Sequence, residues 1–202
     1  MFALVDKSDN SITKMLNGNR GITIGENQYP KAIFTLWTES ERNAINIYEV
    51  TIDDSKRKDE KWYINTNITY SFDGTNATGS YGDATAKAHA DTLFSAQDET
   101  DGLGTEGDVK TRGLKYNLIR NIKAQAEGEL NRTDWYITRK SEKNTAIPSA
   151  ITTHRDAVRS KQAAMETAIT NASDTPALET LHTYTKQEDG SVTRPLGEIP
   201  TL

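Results

Sequence analysis

The chain alternates apolar and polar side chains in its first half and changes to a helical spacing in its second. Residues 2–5 read as a short strand, and Gly21-Ile22-Thr23-Ile24-Gly25 alternates as a half-buried strand does. Tyr29-Pro30 marks a turn, because the residue before a proline is pushed out of the helical region. Residues 32–37 are strand-like, and Thr38 or Ser40 can cap a short helix holding Glu41, Arg42 and Ile45. Ile47, Glu49 and Thr51 then alternate with Tyr48, Val50 and Ile52, which predicts another strand. Residues 61–65 and 68–72 give two more, ending at the turn signal Asp73-Gly74. Residues 81–97 turn helical on the loose periodicity of Ala84, Ala88, Leu93 and Ala96, and the Gly- and acid-rich stretch 98–108 reads as a linker.

The helical half has the clearer pattern. At 100° per residue, Leu114, Leu118, Ile122, Ala126 and Leu130 fall at successive 40° steps with Ile119 in the same arc, a broad apolar stripe. Ile147-Pro148 breaks the chain. A second helix then repeats Ile151, Val158, Met165 and Ala172 every seven residues, with Ile147 and Ile169 on the same face, the spacing of a coiled-coil-like seam. His154, Arg155, Lys161 and Gln162 interrupt its edges, so the seam is not a dry zipper. Asp174-Thr175-Pro176 restarts a short helix, proline sitting well in a first turn. After Tyr184 periodicity is lost. The pattern therefore predicts an α+β protein with a small β-rich N-terminal module (1–104), a C-terminal helical hairpin (105–184) and an extended tail (185–202) ordered against a neighbour.

Composition narrows the function classes. The 202 residues suffice for one large domain or two small ones. A hydrophobic fraction of 35% and a mean hydropathy of −0.70 point to much surface or partner-covered chain. A net charge of −5 argues against general nucleic-acid binding, which needs a basic footprint. Without cysteine there are no disulfides or thiolate metal sites. No signal peptide is expected from the first residues, and no apolar run is long enough for a membrane span.

Candidate chemistry is sparse. His89, His154 and His182 fall on three different predicted elements, and a zinc site would need all three to converge without a cysteine. The acids between Asp98 and Asp108 invite a calcium loop, but no start residue gives the EF-hand register, and a solvated linker is the favoured reading. No serine sits in a nucleophile elbow, and Gly102-x-Gly104-x-x-Gly107 does not join a strand to a helix. Trp62, Tyr63, Tyr70, Phe72 and Tyr81 could form a sugar platform; the core of a small sheet is the preferred use. No enzyme, cofactor or metal is expected.

Two segments resemble a known family. Leu130-Asn131-Arg132-Thr133-Asp134-Trp135, preceded by a basic amphipathic helix and followed by Pro148 and Arg155-x-x-Val158-Arg159, resembles the phage tail assembly chaperone module. That module runs helix, Thr-Asp-Trp, proline, then a helix with Tyr-Arg-x-x-Leu-Arg; here His154 replaces the tyrosine and Val158 the leucine. Upstream, Tyr29-Pro30, Leu36-Trp37, Glu41-Arg42 and Ile45-Asn46-Ile47 resemble a short N-terminal module of phage tail proteins, which has glycine where Asn46 stands. The matches cover about half of the chain. They imply a phage product of tail or fibre assembly, not an enzyme, whose partner is a tail fibre or other tail protein. It would work in the host cytoplasm during assembly, with retention in the virion tail as the alternative. A permanent decoration subunit and a carbohydrate-binding accessory protein are the other readings, and homo-oligomerisation is compatible with the same surfaces.

Asp134, Trp135, His154, Arg155 and Arg159 are the partner-binding candidates. Asp134 can cap the turn after the first helix, and Trp135 offers a large amphipathic contact. Arg155 and Arg159, four apart on one helical face, can jointly grip a carboxylate. Equally, Trp135 closes the hairpin and the arginines form internal salt bridges; tryptophan and arginine serve both uses.

Overall fold

The first strand is covered on both faces, and this sets the architecture of the N-terminal part. In the computed structural model, which describes residues 1–202, β1 (Phe2–Asp6) sends Ala3 and Val5 to one side and Phe2 to the other. It pairs antiparallel with β2 (Ser11–Leu16). A small hairpin of β3 (Ile22–Ile24) and β4 (Asn27–Tyr29) follows, then α1 (Ile33–Leu36) and α2 (Glu39–Ala44). β5 (Ile47–Asp53) returns beside β1, and β6 (Tyr63–Ile64), β7 (Thr69–Phe72) and β8 (Ala77–Ser80) complete this part. The main sheet has the order β2-β1-β5-β8-β7, with β5 and β8 parallel and the other pairs antiparallel. Its edge strands β2 and β7 approach one another, so the sheet curls into a nearly closed barrel.

Inside lie Ala3, Val5, Tyr48, Val50, Phe72 and Ala77; on the outer face Phe2, Leu16 and Ile47 meet Ile33 and Phe34. Residues 32–37, expected as a strand, form α1 instead. The reason is tertiary: Ile33 and Phe34 are adjacent yet bury in the same cluster, which a strand's alternation would prevent. The cap at Thr38 is as expected, a capping box in which Thr38 and Glu41 satisfy each other's backbone. Asn46 takes the left-handed conformation (φ 62°), the backbone requirement that a glycine would also meet. Trp62, Tyr63 and Phe72 are buried, Trp62 at 3% exposure, so these rings offer no platform to a sugar.

The chain divides into two compact units, 1–85 and 86–202. After β9 (Thr85–Ala86), the expected helix over 81–97 is absent; β10 (Thr92–Leu93) and the short α3 (Ala96–Thr100) stand there. Backbone carbonyls that a helix would use internally are taken from elsewhere. Ala88 and His89 accept the N–H groups of Leu114 and Lys115, and Lys87 accepts the Thr175 hydroxyl at 2.6 Å. The expected linker is likewise tied down. β11 (Val109–Thr111) pairs with β10, and Asp98 both caps α3 and meets Lys110 Nζ at 2.6 Å. The Lys110 ammonium, with the Ser95 backbone and hydroxyl, lowers the Asp98 carboxyl to about 2.

The second unit is mainly helical: α4 (Leu114–Asn131), α5 (Asp134–Lys143), α6 (Ser149–Asn171) and α7 (Thr175–His182). α4 begins at Gly113, where a Cβ would lie 2.2 Å from the Ala90 carbonyl oxygen, so only glycine fits. α4 and α6 run antiparallel: Lys115 Nζ donates to Thr170 O at one end and Arg155 to Leu130 O at the other. Leu118, Ile122 and Ala126 bury against the heptad face Ile151, Val158, Met165 and Ile169, as the two periodicities require. The expected extended tail is instead folded back. β12 (Thr185–Lys186) and β13 (Val192–Thr193) make a hairpin, and Leu196 beyond it is 2% exposed. An apolar anchor of this kind needs no outside neighbour to order it.

Leu118→Ala should cost about 2–5 kcal/mol in denaturant unfolding, the range for emptying a buried leucine site. Lys123→Ala, which removes only an exposed ion pair, should cost less than about 1 kcal/mol. Equal costs would mean that the α4–α6 seam is not the core of this unit.

Candidate functional site

The corner between α4 and α5 is built around a charge taken out of water. Arg155 sits on α6 with its side chain 9% exposed. Its Nη1 donates to Leu130 O at 2.8 Å, Thr133 Oγ1 at 2.7 Å and Asp134 Oδ1 at 2.8 Å. Thr133, 1% exposed, donates its own hydroxyl hydrogen bond to Leu130 O. A buried guanidinium must be paired to be tolerated, and here the Thr133-Asp134 segment supplies the pairing. Asp134 therefore opens α5 as its first residue and serves as Arg155's counter-ion, not as the cap of α4.

Arg155 and Arg159 meet different carboxylates, Asp134 and Asp156. Arg155 is used internally, whereas Arg159 is exposed and only loosely paired, 3.5 Å from Asp156. His154 is half-buried on the other edge of the seam, its Nε2 3.2 Å from Glu129 Oε1. Glu129 accepts from Arg132 Nη1 and from the Leu202 backbone N–H at 2.8 Å. That N–H and the Arg132 guanidinium hold the Glu129 carboxyl below the usual range, against the opposing effect of burial. Glu129 and Thr133 were not among the expected site residues. Their signal is the spacing Leu118, Ile122, Ala126, Glu129, Thr133, a heptad face that continues through two polar residues.

Trp135 stands at the start of α5, a helix with no buried residue, and is 52% exposed. Its ring lies 3.8 Å from that of Tyr136, and the Arg139 guanidinium sits over both at 4.8 and 5.3 Å. Cation–π contact of this kind stiffens a surface aromatic pair. Tyr136 and Arg139 were also missed: Tyr136 is the next residue along the chain, and Arg139 reaches Trp135 only through the helical turn between them.

Beside this corner the α4–α6 pair carries two shallow cavities of about 490 and 580 Å³ that share Leu130 and Gln162 and so join into one trough. Lys123, Glu127, Asp134 and Arg155 line one cavity; Arg159, Glu166 and Thr167 line the other. Lys123 and Glu166 face each other at 3.4 Å. The trough is polar with an apolar strip at Leu130 and Ala163, suited to holding a peptide segment rather than to bond chemistry. No group of three or more His, Asp or Glu side chains is placed to hold a metal ion, and no helix is long and apolar enough to cross a membrane. No family model, curated protein or solved structure matches the chain.

The depressed Glu129 carboxyl gives a signed pH expectation. Its bond to Leu202 is fully present above the ordinary carboxyl value of 4.5 and is lost as pH falls through the lower value in the folded protein. The Glu129 side-chain carboxyl carbon resonance should titrate with a midpoint below 4.5, and Glu129→Gln should remove that titrating signal. A midpoint above 4.5 would show that the carboxylate is not held by these donors.

Proposed function

We propose that this chain is a bacteriophage tail-associated interaction protein that binds a tail fibre or neighbouring tail component and assembles or attaches it. The docking element is the helical hairpin of α4 and α6, with α5 as its exposed arm and residues 185–202 folded along it. One observation carries the reading. The Thr-Asp of the first motif and the arginine of the second, 22 and 21 residues apart, meet in a single buried junction. This gives the sequence resemblance a structural reason: the paired motifs hold a corner, and the corner turns Trp135 outward.

The division of labour differs from a joint arginine clamp. Arg155 and His154 maintain the hairpin. Trp135, backed by Tyr136 and Arg139, and Arg159 in the trough are left for a partner, both types being common anchors of interface energy. The work is done in the host cytoplasm during assembly, and no cofactor or bond-making step is involved.

Trp135→Ala combined with Arg159→Ala should remove the tail or fibre protein from material co-purified with this chain out of infected cells, while helical circular dichroism stays at the wild-type level. Because neither side chain is buried, folding should survive. Full retention of the tail protein by the folded double variant would contradict the docking role. Mass spectrometry of purified particles then separates an assembly factor, absent from them, from a retained subunit at fixed stoichiometry.

A further inference from the structure

Residues 14–23 of the β-rich unit, with Phe34, frame a concavity of about 530 Å³ between β2 and β3. Met15, Leu16, Ile22 and Phe34 are its apolar lining residues. Leu16 and Phe34 are buried there, and Phe34 lies only 3.3 Å from where a Cβ on Gly18 would stand. Gly18 also has a φ of +69°, so the loop can lie this close to the floor only with glycine at that position. The walls are donors. Lys14, Arg20, Asn17, Asn19 and Thr23 line the space and no aspartate or glutamate does.

The cations are conspicuous by their lack of partners. Residues 1–85 contain nine lysines and arginines. Six are engaged: Arg42, Lys56 and Arg57 with carboxylates, and Lys7, Lys58 and Lys61 over aromatic rings. Lys14, Arg20 and Lys31 have neither kind of partner, and all three belong to this corner of the unit. Lys14 and Arg20 line the concavity, while the Lys31 backbone nitrogen is 3.5 Å from the Cβ position of Gly21, another lining residue. In a chain with net charge −5, leaving this one cavity cationic and acid-free creates a local field opposite to the whole.

We propose that this concavity binds a small phosphomonoester, with the phosphate held by Lys14 and Arg20 and the organic part resting on the floor formed by Leu16 and Phe34. The charge match selects the anion. A phosphomonoester carries about −1.5 to −2 at neutral pH, against two unmatched cations, whereas a monocarboxylate would leave one of them unanswered. Arginine supplies a planar fork and lysine a point charge, both suited to phosphate oxygens. The Asn17 and Asn19 amides add donors for a hydroxylated body, and the volume lies within the range of about 300–1,000 Å³ usual for small-ligand sites. The proposal is independent of the docking role assigned to the helical unit.

Isothermal titration of the full chain with glucose 6-phosphate, glucose, glucuronate and inorganic phosphate tests it. Glucose 6-phosphate should bind saturably, more tightly than glucuronate or inorganic phosphate; glucose should not bind, and added salt should weaken the complex. Lys14→Ala with Arg20→Ala should lose at least about tenfold in affinity, as removal of charge-assisted contacts requires. Asn19→Asp, which places an acid on the wall at an exposed position, should weaken binding as well and carries the test if the double variant does not fold. No saturable binding of glucose 6-phosphate, wild-type affinity in the folded variants, or tighter binding of glucuronate would each overturn the proposal. Equal affinity for inorganic phosphate would overturn the role of the floor.

Discussion

The helical unit depends on one buried cation. Arg155 could remain in the seam only if its charge were answered, and the answer comes from the end of α4 and the first residue of α5. Three acceptors on one guanidinium nitrogen fix where α4 stops, how the chain turns and which way α5 leaves. Thr133 serves twice in this junction, accepting from Arg155 and donating to Leu130, so its burial follows from its hydrogen bonds as well as from its methyl group. Removing one partner of such a group leaves the other buried and unanswered, which costs far more than the net contribution of the intact pair. The exposed position of Trp135 follows from that corner.

The rest of the helical seam is organised around the same problem, polar groups inside an otherwise apolar heptad pattern. On the edge opposite the trough, Glu129 gathers Arg132, His154 and the Leu202 backbone, so the polar seam and the folded-back tail solve one another's requirements. Leu196 provides the apolar part of that closure and Glu129 the polar part. The β-rich unit meets a simpler constraint. Its central strands β1 and β5 bury side chains on both faces, one inside the barrel and one under α1.

Much was legible in local pattern. Period-two alternation located the strands around residues 22–24, 47–52 and 69–72, and the seven-residue repeat located α6 and its buried face. Turn and cap chemistry was equally direct: Asp73-Gly74 closes the β7–β8 hairpin, and Thr38 caps α2. The paired motifs placed Asp134 and Arg155 among the candidates for partner binding. They left open whether the role of these residues was internal, because an exposed and a buried arginine at helical spacing look alike in sequence.

What the sequence by itself determined is what short-range sterics and periodicity encode: an α+β chain, most of its strands, its two long helices and the faces of these helices that bury. Only tertiary structure decided the remainder. It made a helix of residues 33–36, since two adjacent side chains had to reach one cluster, and it kept residues 86–95 out of a helix by drawing three of their carbonyls to α4 and α7. It converted Arg155 from a candidate grip on a partner into the counter-charge of Asp134, and gathered Lys14 and Arg20 around one cavity. In each case the deciding partner lies outside the local sequence window, where neither propensity nor spacing can register it.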